Sequence, residues 1–575
     1  MLLKSLLIFL FTFFEVSSFN YDYDYFAQLS SENAFSKNGS ESKMGLDESY
    51  IYKSVCMITG KPTLIDGFEC QELLALGRFR NHINATGWSY LEIETTHGTD
   101  VELQAYSAGV LEGVLTRQIL DFHLTNKVRS YCAGYETYCQ KLKSYFEKNL
   151  LYVKEKIEKA APDDIYWQAV KHSFLQLTGI WDGFRGMEFN VKIDYEFHEI
   201  LMLNAKGELY DLEKKFNKTK NPTFTDGING ECSGLVKVAP NNEDILISQV
   251  TMSGFQNMIR VLKLYKFGYD KYLFAGHTTT FSSYPGMLYS SDDFALLSSG
   301  LAVTETTINI FNNSLFDNIQ PYGQLHCWVR AIVANLLARS AREWCKIFSQ
   351  HNSGTYNNQW NVLDYKNFHP GKELPNFGLF YVLEQTPGVI KYKDMSFYLK
   401  QKTYFASYNI PFFKSISHIT GFDQQAAKMS WFSWSQCPRA RMFKRDHANV
   451  TDLDTLTKLM RYNNYKKDEF SKCDCNPPYT AEAAISSRGD LNPANGTYPF
   501  PGMGHVNHGA LDFKGTNYKL FKQFRFRAWS GPTYDQVPVF KWSSTDFAAN
   551  VSHVGHPDEW KFKAIEYKWE SKINF

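Results

Sequence analysis

Three things are scarce in this sequence: cysteine, net charge and long apolar runs. Only 10 of 575 residues are Cys, too few for a scaffold built on disulfides. Lys and Arg number 61 against 60 Asp and Glu, a formal net charge of +1. With no long basic block either, a general nucleic-acid binder is excluded. After Phe19 no run of 18 apolar residues occurs, so no spanning helix is predicted and the mature chain is expected to be soluble. Familiar catalytic signatures are missing too. There is no G-x-S-x-G elbow, no Walker A loop and no G-x-G-x-x-G. His198-Glu199 opens like a zinc-protease helix, but Met202 stands where the second His is needed. What is abundant is aromatic: 45 Phe, 35 Tyr and 12 Trp. That excludes a disordered chain. At roughly 150 residues per domain, the length predicts three or four domains or one large α/β or α+β unit.

The first residues set the compartment. Lys4 precedes an apolar run from Leu6 to Phe14, and small residues follow at Val16, Ser17 and Ser18. This is the pattern of a secretory signal, with the cut expected after Ser18. The run is about half of the ~20 residues a spanning helix needs. Seven N-x-S/T sequons follow, at Asn38, Asn84, Asn217, Asn312, Asn449, Asn495 and Asn550. Behind a signal they predict a glycosylated protein of the secretory pathway. Secretion is the plain reading of the sequence.

Along the chain the character changes once. Residues 20–50 carry no sustained period. From Ala105 to Ala160 apolar residues recur at three- and four-residue spacing with Lys and Glu between, which predicts helix. Further helices are predicted over Asp163–Gly183 and Tyr195–Phe216. Asn217 to Glu231 is polar, with Pro and Gly, and reads as an exposed linker. Beyond it, Cys232–Pro240 and Glu243–Ser253 alternate around Ala-Pro-Asn-Asn, a hairpin signal. Strands are predicted over Lys271–Phe281, Phe294–Thr307, Tyr356–Asp364 and Gly378–Val389, and a helix over Val329–Phe348. No repeat of 20–50 residues is visible.

In an oxidising compartment most cysteines should be paired or buried. Cys132 and Cys139 are candidates for a local bridge, as are Cys473 and Cys475, with Cys56 and Cys70 a weaker pair. His505, His508 and Asp512 form a loose candidate metal group, with polar residues of a surface loop as the alternative. Arg488-Gly489-Asp490 has the form of an adhesion tripeptide, without other support. Cys232 differs by position, because it opens a predicted strand after an exposed linker. A cut before it would put a thiol and a free α-amine on one residue. That amine has a reference pKa of about 7.7–8.0, suited to a general base. It could take the thiol proton with no His nearby. Position alone leaves open whether Cys232 is such a nucleophile or a buried or paired cysteine.

Ordered blocks over roughly half the chain resemble the phospholipase B-like (lamina ancestor) family of the N-terminal nucleophile hydrolases. They are Cys232-Ser233-Gly234-Leu235-Val236-Lys237, Ser283-Tyr284-Pro285-Gly286, Asp292-Asp293-Phe294 and Leu297-Ser298-Ser299-Gly300. Then come Asn352 to Gln359, Glu384-Gln385-Thr386-Pro387-Gly388, Pro438-Arg439-Ala440, Met460-Arg461-Tyr462-Asn463 and Ser487-Arg488-Gly489-Asp490-Leu491. The resemblance implies an α+β fold: a four-layer αββα sandwich with a helix-rich N-terminal segment. It implies a signal peptide (1–18), an N-terminal chain (19–231) and a C-terminal chain (232–575), split by self-cleavage of Glu231–Cys232. Both chains would stay associated in one αββα unit.

The same resemblance implies the roles. Cys232 is the nucleophile and its α-amine the base. Asn358, with Asn357 second, supplies an oxyanion donor; satisfying a turn is the alternative. Arg439 holds the nucleophile's surroundings or the substrate; a surface or core-bridging Arg is the alternative. Members of that family commonly carry a His after the first hairpin strand and a Trp three residues later. This chain has Gln249 and Met252, while Thr251 is retained beside them. The implied activity is hydrolysis of acyl ester or amide bonds, with glycerophospholipid deacylation through a thioester as the family's label. The alternative is a catalytically weak secreted or lysosomal glycoprotein that binds lipid or protein and uses Cys232 only for maturation. Neither reading calls for a cofactor, a metal or a nucleic-acid partner, and peripheral contact with lipid surfaces is the membrane relation implied. Setting Cys232 aside leaves nine cysteines, so at least one more is unpaired within the chain.

Overall fold

The Ala-Pro-Asn-Asn signal builds a hairpin, and Cys232 enters on its first strand. In the computed structural model the turn at Pro240–Asn242 is left-handed at Asn241 and Asn242 (φ 56° and 55°), a conformation that Asn tolerates. Residues 50–571 are described, apart from 69, 219–230 and 292–293. The expected signal segment, Asn38, the Asp292-Asp293 pair and most of the expected linker lie outside the described residues.

Eighteen strands are described. They are β1 (Ile51–Ile58), β2 (Lys61–Asp66), β3 (Leu73–His82), β4 (Trp88–Thr95), β5 (Glu231–Val238), β6 (Ile245–Ser253), β7 (Arg260–Lys266), β8 (Thr278–Ser283) and β9 (Phe294–Leu297). Then follow β10 (Leu301–Thr307), β11 (Asn358–Asp364), β12 (Phe380–Thr386), β13 (Val389–Asp394), β14 (Tyr404–Ser407), β15 (Gly509–Ala510), β16 (Asp512–Thr516), β17 (Arg527–Ser530) and β18 (Ile565–Glu566). Eleven form one sheet in the order β13-β12-β11-β10-β9-β8-β7-β4-β3-β1-β2. Its neighbours are antiparallel except at β4–β7, which run parallel. Seven form the second sheet, β14-β5-β6-β16-β17-β18, with β15 beside β6.

Eight helices matter for the core: α1 (Val101–Leu115), α2 (Glu136–Lys159), α3 (Ile165–Arg185), α4 (Lys206–Lys215), α5 (Cys327–Leu337), α6 (Ala341–Phe348), α7 (Pro438–Asp446) and α8 (Leu453–Met460). Strand alternation sorts the side chains into layers. Leu91, Ile93, Val261 and Val303 of the large sheet pack against Leu111, Ile180 and Val333 of α1, α3 and α5. Between the sheets, Val236, Val238, Ile245 and Ile247 meet Leu262, Leu264, Leu296, Phe380 and Val382. On the far face of the small sheet, Leu235, Leu246, Val250 and Phe513 pack under Phe443, Leu456 and Met460 of α7 and α8. The expected α+β class is the one observed.

α1 and α3 cross at glycines. A Cβ on Gly109 would lie 2.1 Å from the Gln176 carbonyl oxygen, and one on Gly183 would lie 2.4 Å from that of Val110. Gly113 and Gly179 are equally tight. No larger residue fits without separating the helices.

Several details differ from the sequence reading, these among them. The N-terminal segment is helix-rich only after Val101; before that it supplies β1–β4. The period of β1 is hidden because Ser54 and Cys56 sit at fully buried positions. Ser54 Oγ donates to the Gly67 carbonyl at 2.8 Å and Cys56 is bonded to Cys70, so neither polar group is left unsatisfied. The helix expected over Val329–Phe348 is two helices, because Ser340 caps the second by accepting from Glu343 N at 3.2 Å. Cys132–Cys139 and Cys473–Cys475 are disulfides, while Cys232, Cys327, Cys345 and Cys437 are buried and belong to no described disulfide. Beyond Cys232, three cysteines thus stand outside the disulfides, where at least one was expected.

Candidate active site around Cys232

Register puts Cys232 opposite Thr251 and Gly234 opposite Gln249, while Lys514 of β16 pairs with Gln249 from the other side. Cys232 shares its strand face with Val236 and Val238, so it looks into the space between the sheets. At this end the space is polar. Cys232 itself is 4 % exposed.

Two side chains hold its backbone. Asn409 Oδ1 accepts from Cys232 N at 3.0 Å, and Asn409 Nδ2 donates to the Thr307 carbonyl at 2.8 Å. Asn409 has φ 69°, the left-handed region where Asn is favoured. On the other side, Arg439 Nη1 donates to the Cys232 carbonyl at 2.6 Å and to Ser233 Oγ at 3.3 Å, while Nη2 donates to the Tyr408 carbonyl at 3.0 Å. Arg439 is placed by the start of α7, where Pro438 occupies the first turn and Cys437 caps it.

Behind the thiol lies a charged cluster. Lys514 Nζ donates to Thr251 Oγ1 at 2.6 Å and to both Asp512 oxygens at 2.8 and 2.9 Å. Asp512 also accepts from Thr251 N at 3.1 Å and pairs with Arg260 Nη1 at 2.8 Å. Thr251 Oγ1 donates to Gln249 Oε1 at 3.2 Å. The Arg260 guanidinium lies over the rings of Tyr284 (4.4 Å) and Trp88 (5.1 Å), and the Lys206 ammonium lies 4.3 Å from the Tyr284 centroid.

The electrostatics follow from burial. Burial pushes the Cys232 thiol up, the Glu305 charge adds to it, and a Met252 backbone hydrogen bond and the Lys514 charge oppose both. Burial brings Lys514 down to about 8, with Arg260 helping and Asp512 resisting. Burial alone would raise Asp512, but Lys514 and Arg260 prevail and hold it below the usual carboxylate value.

A narrow cleft opens beside this backbone, enclosing roughly 390 Å³, part of it open to solvent. Asn409, Arg439 and Cys437 line its inner wall, and Phe422, Trp431 and Phe432 its aromatic side.

The other candidates spread out. Asn357 Nδ2 donates to the Gly354 carbonyl at 2.8 Å and to Asp211 Oδ2 at 3.0 Å, tying a turn to α4. Asn358 is fully buried, and its side chain has no hydrogen-bond partner among the described residues. It shares its face of β11 with Trp360 and Val362, which join the helix-side core; no hydrogen bond joins it to Cys232. Its strand partner is Thr307, whose carbonyl Asn409 holds.

His505, His508 and Asp512 do not meet as a metal group. His505 pairs with Asp546, His508 with Glu482, and Asp512 with the two cations. Among the described residues, no three or more His, Cys, Asp or Glu converge. Arg488 is 1 % exposed and bonds Asp490 and the carbonyls of Thr533 and Pro538, so the tripeptide is internal. Asn409, Lys514 and Arg260 escaped the sequence reading. A signal existed for Lys514: Asp512-Phe513-Lys514, directly after Ala510-Leu511, sets two charges two residues apart in an apolar setting, which marks a buried pair on one strand face.

A profile of the Phospholipase B family matches residues 75–567. This chain belongs to that family. A Caenorhabditis elegans protein named "Putative phospholipase B-like 2" is 59 % identical over 536 residues, 93 % of this chain and 92 % of the relative. The human protein of the same name is 41 % identical over 525 residues, 89 % and 88 % of the two chains. A Dictyostelium discoideum protein named "Phospholipase B-like protein C" is 32 % identical over 520 residues, 87 % and 88 %. In this phospholipase B family chain several recognised blocks are structural ties. Glu384 accepts from Gln359 Nε2 at 2.6 Å and from Phe413 N at 3.2 Å. Arg461 stacks 4.0 Å over Trp529, and Asn463 Nδ2 donates to the carbonyls of Ala481 and Ser486.

Proposed function

We propose that the chain is a self-processing N-terminal cysteine hydrolase of acyl ester or amide bonds, with glycerophospholipids as the substrate class its family name suggests. The observation that carries this reading is the grip on Cys232, whose nitrogen is held by Asn409 and whose carbonyl by Arg439.

In processing, the Cys232 sulfur attacks the Glu231 carbonyl carbon. The Glu231–Cys232 C–N bond breaks, a thioester forms, and the nitrogen gains the proton the thiol lost. Water then hydrolyses the thioester, freeing the Glu231 carboxylate, the thiol and the α-amine. Asn409 Oδ1 already sits 3.0 Å from that nitrogen and orients the new amine. In turnover the amine takes the thiol proton, the sulfur attacks the substrate acyl carbon, and the leaving oxygen or nitrogen takes the proton back. Water hydrolyses the second thioester.

The fold's helix-sheet-sheet-helix order fits the sandwich of N-terminal nucleophile hydrolases. Glycosylation in the secretory pathway or lysosome is supported by the sequons. The six described sequon asparagines, Asn84, Asn217, Asn312, Asn449, Asn495 and Asn550, are all exposed. No helix among the described residues is long and apolar enough to cross a membrane.

The test reads the N-termini of secreted protein by mass spectrometry and acyl release from a glycerophospholipid and an N-acyl amide. A terminus at Cys232, absent in Cys232→Ala along with acyl release, is the expected result. An uncut chain whose activity survives Cys232→Ala overturns the reading. The near-complete burial of the thiol favours one second reading, a maturation-only cysteine in a binding glycoprotein. Cleavage without turnover on either substrate would select it.

A further inference from the structure

The buried cluster behind Cys232 has more positive charge than negative. Arg260, Lys514 and Asp512 are each fully buried, and together they sum to one excess cation. Lys206 Nζ also lies beside Tyr284, but burial pulls it well below the usual lysine range, so it does not count as a second fixed charge. An excess buried charge is costly unless an anion answers it. Glu305 supplies one buried carboxylate nearby; the neutral group that can add an anion by losing a proton is the Cys232 thiol, on the same sheet face.

Lys514 is also fixed in direction. Its ammonium spends three short contacts on the two Asp512 oxygens and on Thr251 Oγ1. Thr251 stands opposite Cys232 in the register. With its oxygen accepting from Lys514, the Thr251 proton goes to Gln249 Oε1. Gln249 is uncharged and cannot answer sulfur charge itself.

We propose that Lys514, locked between Asp512 and Thr251, is a positioning residue for Cys232, supplying the fixed positive charge that stabilises the sulfur anion during attack. This rests on Cys232 being the nucleophile. No added reactant is needed: the thiol proton goes to the Cys232 nitrogen, and Lys514 keeps its own proton throughout. The groups around the sulfur act in both directions. Lys514 favours the anion and Lys206 is coupled to it, while the Glu305 carboxylate and then Asp512 oppose it. Tyr284 is buried and Tyr210 partly buried, and desolvation raises both, so both phenols stay neutral. The closed site holds the thiol neutral by burial; water reaching the sulfur after the cut removes that penalty and leaves the charges.

The experiment uses the full secreted chain. Iodoacetamide labelling of Cys232 is followed against pH by peptide mass spectrometry, and the Glu231–Cys232 cut is timed in parallel. Wild type is compared with Lys514→Met, Lys514→Arg, Thr251→Val and Cys232→Ala. In Lys514→Met the labelling midpoint should rise by about one pH unit or more, and cutting should slow at least about tenfold. Lys514→Arg should restore the midpoint, because the charge returns, which a merely structural role would not predict. An unchanged midpoint and rate in Lys514→Met, with Cys232→Ala uncut, overturns the role of Lys514 alone. Cutting that persists in Cys232→Ala overturns the nucleophile reading itself. Should Lys514→Met fail to fold, Thr251→Val decides: slowed cutting supports the relay of position through Thr251, and an unchanged rate overturns it.

Discussion

The space between the two sheets has two unlike ends. At one, Val236, Val238, Ile245 and Ile247 close on Leu262, Leu264, Phe380 and Val382 with no charge among them. At the other, a few residues along the same strands, stand Cys232, Thr251, Gln249 and Lys514, with Arg260 across. Both ends are equally buried, so burial does not distinguish them; what is buried does. The apolar end gains stability from every methylene removed from water. The polar end keeps desolvated charges that add little net stability, which is how a site rather than a core behaves.

The contrast can be broken most severely at Asp512. Asp512→Asn removes the carboxylate that both Arg260 and Lys514 face, and about 3–5 kcal/mol of stability should go with it. Denaturant unfolding measures this, and the cut at Cys232 should be lost as well. An equal-sized change at the apolar end should act differently. Leu264→Ala should cost about 2–5 kcal/mol through the cavity it leaves, yet leave the pH midpoint of Cys232 labelling where it was. A shifted midpoint there would mean the two ends are not separate.

The pH dependence sharpens the polar end further. Lys514 sits at about 8 in the folded chain against 10.5 ordinarily. Between those values the unfolded chain binds more protons, so stability rises with pH across that window. The gap between wild type and Lys514→Met should therefore move in favour of wild type from pH 8 to 10.5. Thermal unfolding at fixed ionic strength would show it, and a flat gap would contradict it. The smallest effect marks the border. Thr306 Oγ1 and Ser407 Oγ lie 2.6 Å apart, and Ser407 donates to Gln359 at 2.6 Å. Thr306→Val should cost about 1 kcal/mol by the same unfolding measurement.

Much of the apolar end was legible in the sequence. The alternation around Ala-Pro-Asn-Asn gave β5 and β6, and three- and four-residue spacing gave the helices around Ala105–Ala160. Less of the polar end was. Cys232 stood out because it opens a strand after a polar stretch. Asn409 did not, because nothing in Ser407–Ile410 tells that its amide returns to a nitrogen 177 positions earlier. Lys514 and Thr251 meet across 263 positions through strand register alone. Asn357 and Asn358 looked alike in the text, yet one closes a turn onto Asp211 and the other is buried with no side-chain hydrogen bond among the described residues. Adjacent strand residues face opposite ways, and the sequence did not say which face mattered.

The parallel seam between β4 and β7 runs from Trp88–Arg260 to Glu94–Lys266. If the chain is cut before Cys232, that seam becomes a boundary between two molecules sharing one sheet. Dissociation would then mean tearing a sheet through its middle, with a core on each side of it. No described disulfide crosses the cut: Cys56–Cys70 and Cys132–Cys139 lie before it, and Cys473–Cys475 after. A protein cut in this way is expected to migrate as one particle in native buffer and as two pieces in detergent without any reductant, its unity kept by hydrogen bonds and packing instead of by covalent bonds.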